Sequence, residues 1–164
     1  MHLNAEGLEL AERVRREVGR FDRVLTSPRP RAVETAQALG YPDPEVVPAL
    51  AEVPDDVGLN PGETVPTSFS EYLARVRSSR SVRDFALLQA SLWGEALASL
   101  PEGGRLLMIS HGGLIEFGAC GALPRTVGGW GPPLGYLEGV RLEWNGGRWT
   151  GGQVLRVGAG PLSR

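Results

Sequence analysis

Apolar residues recur along this chain at two periods. From Asn4 to Gly19, the residues Gly7, Leu10, Ala11, Val14 and Val18 make one stripe at helical spacing, while Glu9, Arg13, Arg16 and Glu17 fall mostly elsewhere. Asn4 suits an N-cap and Gly19 a stop, so a helix is predicted between them. Arg23-Val24-Leu25-Thr26 then reads as a short strand, Ser27 to Arg31 as a polar turn, and Ala32, Ala36 and Leu39 as a helix ending at Gly40. Glu45-Val46-Val47-Pro48 is a candidate short strand, and the Pro, Asp, Gly and Asn of Glu52 to Thr67 predict a long loop of the kind that often carries function. Two helices follow, about Ser68 to Arg77 and Val82 to Leu100, the second amphipathic through Phe85, Leu88, Leu92 and Ala96. The run Leu106 to Ile109 after Gly103-Gly104 reads as a buried strand; it ends in Ser110-His111-Gly112-Gly113, and helical spacing resumes from Leu114 to about Leu123. Arg125 to Gly135 is Gly- and Pro-rich loop, and Tyr136 to Trp144 with Arg148 to Val157 flank Asn145-Gly146-Gly147 as a terminal hairpin. Strands interleaved with helices predict an α/β fold: a three-layer sandwich with a mainly parallel sheet and a C-terminal hairpin, one domain over 1–164.

Composition narrows the partners. A net charge of -2 offers no basic field for nucleic acid and no polybasic tail for an anionic membrane. No apolar stretch is long enough to span a bilayer and no leader pattern is present, so a cytoplasmic protein is expected. The basic residues number 17 and every one is Arg, from which no function follows. The single cysteine, Cys120, lies in an apolar helical pattern and reads as a small buried hydrophobe.

Candidate chemistry gathers at two strand ends. Ligands of open α/β sheets bind outside the carboxyl ends of the strands, which is where His111 is expected. The glycines beside it allow close backbone approach, and the amides opening the next helix suit an anion. Ser27-Pro28-Arg29-Pro30-Arg31 follows the other strand. An arginine fork, an imidazole and free amides at one sheet edge would hold an oxygen-rich dianion, and a phosphoryl group is the natural candidate.

These segments resemble the histidine phosphatase superfamily, the phosphoglycerate mutase-like proteins. Leu3-Asn4-Ala5-Glu6-Gly7 followed by Ala11 is similar to that family's Leu-Thr-x-x-Gly helix start. Thr26-Ser27-Pro28-Arg29-Pro30-Arg31-Ala32-Val33-Glu34-Thr35-Ala36 is similar to its Ser-Pro-x-x-Arg-Ala-x-x-Thr-Ala segment, and Ile109 to Ile115 to its Val-Ser-His-Gly-Gly-x-Ile segment. Order and spacing agree over nearly the whole chain. The resemblance implies that Arg31 and Gly112 bind phosphoryl oxygens, that His111 polarises the phosphoryl group in flight, and that a small-molecule phosphate ester is hydrolysed with no cofactor. It also implies an acid for the leaving alcohol. Glu52, in Leu50-Ala51-Glu52, matches that position, with Asp55 and Asp56 as alternatives in a stretch where the family's following Gly and Trp are replaced.

One family segment has no counterpart. Members begin with a strand ending in Arg-His-Gly, whose histidine becomes phosphorylated, whereas this sequence opens at the family's first helix, with His2 just before it and not at a strand end. The chain as written is therefore expected to lack the covalent route. In the family that strand lies beside the one leading to His111, so its loss would strip on the order of ten backbone groups of partners at ~1 kcal/mol each, a total that rivals a domain's stability. An N-terminally shortened form of a complete enzyme is the expectation, with a non-catalytic remnant that keeps an anion pocket as the rival. Open strand edges would also invite homo-oligomers. An α/β-hydrolase needs a Gly-x-Ser-x-Gly elbow, which this sequence lacks, and two histidines far apart with no Cys cluster give metal catalysis poor support.

Overall fold

The computed structural model describes residues 4–51, 53–58 and 62–158. Helix α1 (Ala5–Val18) starts where Asn4 accepts a hydrogen bond from the Gly7 amide and stops at Gly19, whose φ of 76° is one that glycine adopts without strain. Strand β1 (Arg23–Thr26) follows, then α2 (Pro30–Ala38), with proline in the first turn where its missing N–H costs nothing. Strand β2 is Glu45–Val46, and Pro48–Leu50 makes a 3-10 turn. Helices α3 (Phe69–Ser78) and α4 (Arg80–Ala98) are each capped by a serine hydroxyl, Ser68 and Ser79. Strand β3 (Leu106–Ile109) leads into α5 (Leu114–Ala122), and β4 (Gly139–Asn145) and β5 (Arg148–Leu155) close the chain as an antiparallel hairpin.

The parallel sheet runs β2-β1-β3. Its register pairs Leu25 with both Glu45 and Met108, and Thr26 with Val46 and Ile109. From β1 the chain turns through α2 to β2 on one side, and the α3–α4 crossover returns it to β3 on the other. Opposite directions of crossover put α2 and α3–α4 on opposite faces. Alternation along β3 confirms the layers: Leu106 and Met108 pack into the large cluster with α3, α4 and α5, while Leu107 and Ile109 pack with Ala11, Val14 and Leu39 of the α1–α2 side. The result is the mixed α/β sandwich read from the sequence. The hairpin starts at Gly139 and not at Tyr136, because Leu137 takes a φ of 57° that breaks the extended run.

The large cluster is built on close helix contact. Phe117 of α5 meets Tyr72 edge-on with ring centres 5.0 Å apart and Phe85 at 6.4 Å. Phe69, Trp93 and Cys120 are buried there, Cys120 as its apolar helical pattern predicts, and burial pushes the Cys120 thiol up to about 12, with the Glu116 carboxylate adding to it. Helices α4 and α5 approach because glycine stands at the crossing: a Cβ on Gly121 would lie 2.1 Å from the Ala86 carbonyl oxygen, and one on Gly118 would meet the Trp93 ring. Backbone cannot yield as a side-chain tip can. Gly121→Ala is therefore expected to destabilise by about 2–3 kcal/mol through overpacking, measured as a lower midpoint in urea.

Candidate active site

Two turns leave the sheet side by side. Thr26 and Ile109 pair in register, and the Ser27 amide extends the ladder by one bond to the Ile109 carbonyl at 3.0 Å. The turn after β1 and the turn after β3 are thereby fixed against each other at the carboxyl edge, where the crossovers diverge. Ser27 is fully buried and His111 half-buried, while Arg29 and Arg31 are exposed.

His111 is held at both nitrogens. Its Nε2 lies 2.6 Å from Ser27 Oγ, and Arg31 donates to Nδ1 through Nε at 3.3 Å and through its terminal nitrogen at 3.0 Å. Ser27 Oγ also accepts the Arg29 amide at 3.3 Å. Burial first, then the Arg31 and Arg29 charges, lower the His111 imidazole from its ordinary 6.5 to about 4. At neutral pH the ring carries no charge.

A third segment is tied to both turns. Ser110 Oγ donates to the Leu50 carbonyl at 2.7 Å, and Arg29 Nε to the Ala51 carbonyl at 3.3 Å. Val53 stands next to the Gly113 turn, 3.9 Å from where a Cβ on Gly113 would be. Glu52, the acid expected between them, lies outside the described residues. Asp55 and Asp56 are exposed in the turn that follows, and Ser81 donates to the Asp56 carbonyl. No hydrogen bond joins either carboxylate to His111 or Arg31. His2 is likewise outside the described residues.

Gly112 is exposed beside the ring. The Gly113 amide, one of those expected to face an anion, instead donates to Glu116 Oε2 at 2.7 Å. Glu116, 1% exposed, accepts the Leu134 amide on its other oxygen at 2.9 Å and so ties the 131–138 loop to the His111 turn. Arg156 braces that loop from the end of β5, donating to the Pro133, Trp130 and Pro132 carbonyls and pairing with Glu138 at 2.7 Å. The structure brings Arg31 and His111, both expected at the site, into contact, with Gly112 next to the histidine in the chain. The sequence reading assigned no role to Ser27, whose signal was a polar side chain at the last, buried position of a strand.

Two crossovers thus diverge around a histidine and an arginine at the carboxyl edge of a parallel α/β sheet. The family model of the histidine phosphatase superfamily (branch 1) matches residues 1–154, and the chain belongs to that family. Among solved structures, the fold is similar to phosphoserine phosphatase from Entamoeba histolytica in complex with 3-phosphoglyceric acid, at 20% identity and TM-score 0.56, covering 77% of this chain and 70% of that one. It is also similar to a mutant of the Entamoeba histolytica phosphoserine phosphatase in complex with phosphoserine, at 17% identity and TM-score 0.64, covering 93% of this chain and 84% of the other. No curated protein matches the sequence.

The low value for His111 has a consequence for pH. The unfolded ring takes its proton near 6.5 and the folded ring near 4, so between these the unfolded state binds more protons. This group's stabilisation is fully present above about 6.5 and is lost as pH falls toward 4. Titration of the imidazole by NMR is expected to give a midpoint well below the ordinary value, raised in Arg31→Met, and His111→Asn is expected to flatten the stability profile across that interval.

Proposed function

We propose that this chain is the phosphate-holding part of a phosphomonoester hydrolase that works through a phosphohistidine. The observation that carries the reading is the convergence of His111 and Arg31 at the carboxyl ends of two paired parallel strands, in a chain of the histidine phosphatase superfamily. Arg31 supplies a planar, permanently charged fork for phosphoryl oxygens, with the exposed Gly112 backbone beside it. His111 faces the same oxygens and stabilises the phosphoryl group in transfer.

In this reading the nucleophile is the histidine of the family's Arg-His-Gly segment, which has no counterpart in this sequence. Its imidazole nitrogen attacks phosphorus, the ester P–O bond breaks, and the departing alkoxide takes a proton from a carboxyl group, for which Glu52, Asp55 and Asp56 are the candidates. Water then gives a proton back to that carboxylate and attacks the phosphohistidine, and the N–P bond breaks to release phosphate and the free imidazole. The edge position of β3, with the hairpin forming a separate sheet, supports a strand pairing there whose carboxyl end would meet His111. The substrate class is a small phosphate ester, which the phosphoserine and 3-phosphoglyceric acid complexes of the structural neighbours support. The reading calls for no cofactor and for a cytoplasmic protein, and the open edge of β3 is also where a second copy could pair.

The test is hydrolysis of p-nitrophenyl phosphate without added metal, by this chain and by a form extended upstream to the nearest in-frame start. Activity only in the extended form is expected, with a loss of at least about 100-fold in its His111→Ala variant and a raised KM in Arg31→Ala. Two inactive, folded proteins would instead leave a domain that binds phosphate without turning it over.

A further inference from the structure

We infer that Ser27 is a positioning residue of this site: its hydroxyl captures Nε2 of His111 and so turns Nδ1, with Arg31 on it, toward the ligand. The inference rests on the phosphatase reading only for what that ligand is. An arginine guanidinium keeps its protons at any ordinary pH, so both Arg31 nitrogens near Nδ1 are donors. Nδ1 must therefore present its lone pair, and the proton of the neutral ring stands on Nε2, where it is donated to Ser27 Oγ at 2.6 Å.

Three features make this a built arrangement. Ser27 is 0% exposed, so water does not compete for its oxygen. Its backbone is locked by the 3.0 Å bond from its amide to the Ile109 carbonyl, two residues before His111, so both partners hang on one rung of the sheet. The Arg29 amide donates to the same oxygen, which sets the direction of the remaining lone pair. Among the described residues, the charges that act on the ring are Arg31 of α2 and Arg29 of the turn before it, while Glu116 of α5 is held on the Gly113 and Leu134 amides. None of these reaches Nε2; Ser27 does.

The consequence is a division of labour on one imidazole. Nε2 anchors the ring to the sheet, and Nδ1 is the nitrogen an incoming dianion meets. When phosphoryl oxygens draw the Arg31 fork away, Nδ1 is left beside negative charge and becomes able to take a proton and donate it as a hydrogen bond, while Nε2–H stays on Ser27. Ring orientation is then the same before and after the ligand arrives.

Two histidines in the sequence make the ring readable by nitrogen-15 NMR, with His2→Gln removing the second set of signals. At pH 7 His111 is expected as the Nε2–H tautomer with a ring proton protected from exchange. Ser27→Ala is expected to lose that protection and to bind inorganic phosphate roughly five- to tenfold more weakly, the worth of one hydrogen bond. Ser27→Thr, which keeps the hydroxyl, is expected to restore both. An Nδ1–H tautomer in the unaltered chain would overturn the inference whether or not any variant folds, as would a protected Nε2–H in folded Ser27→Ala. Protection that depends on Ser27 in a chain that binds no phosphate would uphold the positioning role and overturn only the phosphatase reading.

Discussion

The pairing of β1 with β3 is the constraint on which the rest of the molecule depends. It is a short parallel ladder, four residues on each strand, between segments more than eighty residues apart in the chain. Parallel pairing requires a crossover, and here helices α3 and α4 supply it. The residues of the candidate site hang from its carboxyl end: Ser27 one residue beyond β1, His111 two beyond β3, and Arg31 on the first turn of α2. A shift of one residue in that register would turn each side chain to the opposite face and separate the histidine from both partners.

The electrostatics of the site follow from that geometry. Half-buried between two guanidinium groups, the imidazole is kept neutral, and Arg31, otherwise an exposed charge, has a lone pair to point at. Under the proposed function a neutral ring between cations would lose little when a dianion arrives, since arginine exchanges one acceptor for a better one. This is preorganisation by mutual restraint. The Leu50–Ala51 segment is drawn in by Ser110 and Arg29, which fixes the approach to the long loop against the site.

The periphery is organised to hold these turns still. Glu116 caps its own helix and reaches the Leu134 amide, and Arg156 satisfies three carbonyls of the same loop. The Gly118 and Gly121 positions let α4 and α5 close to backbone contact beneath. A buried carboxylate on two amides and a guanidinium on three carbonyls satisfy groups that a Pro- and Gly-rich loop cannot pair within itself.

Much of this was legible in the chain. Helix and strand positions followed from local period, capping and glycine, because these are properties of neighbouring residues, and α1, β1, β3 and α5 fell close to where the spacing put them. His111 and Arg31 stood out because they follow short apolar runs, and the family resemblance of their segments is confirmed over residues 1–154. The hairpin's true start was hidden, since the positive φ at Leu137 is imposed by the packing of its side chain with the α1 cluster and not by its residue type. Equally hidden were the use of the Gly113 amide by Glu116 and the grip of Ser27 on His111. Sequence determined which elements form and which residues end them. Only the tertiary structure decided which nitrogen of the histidine meets which partner, because that depends on the relative placement of two distant turns, and a parallel register fixes it through the chain on both sides at once.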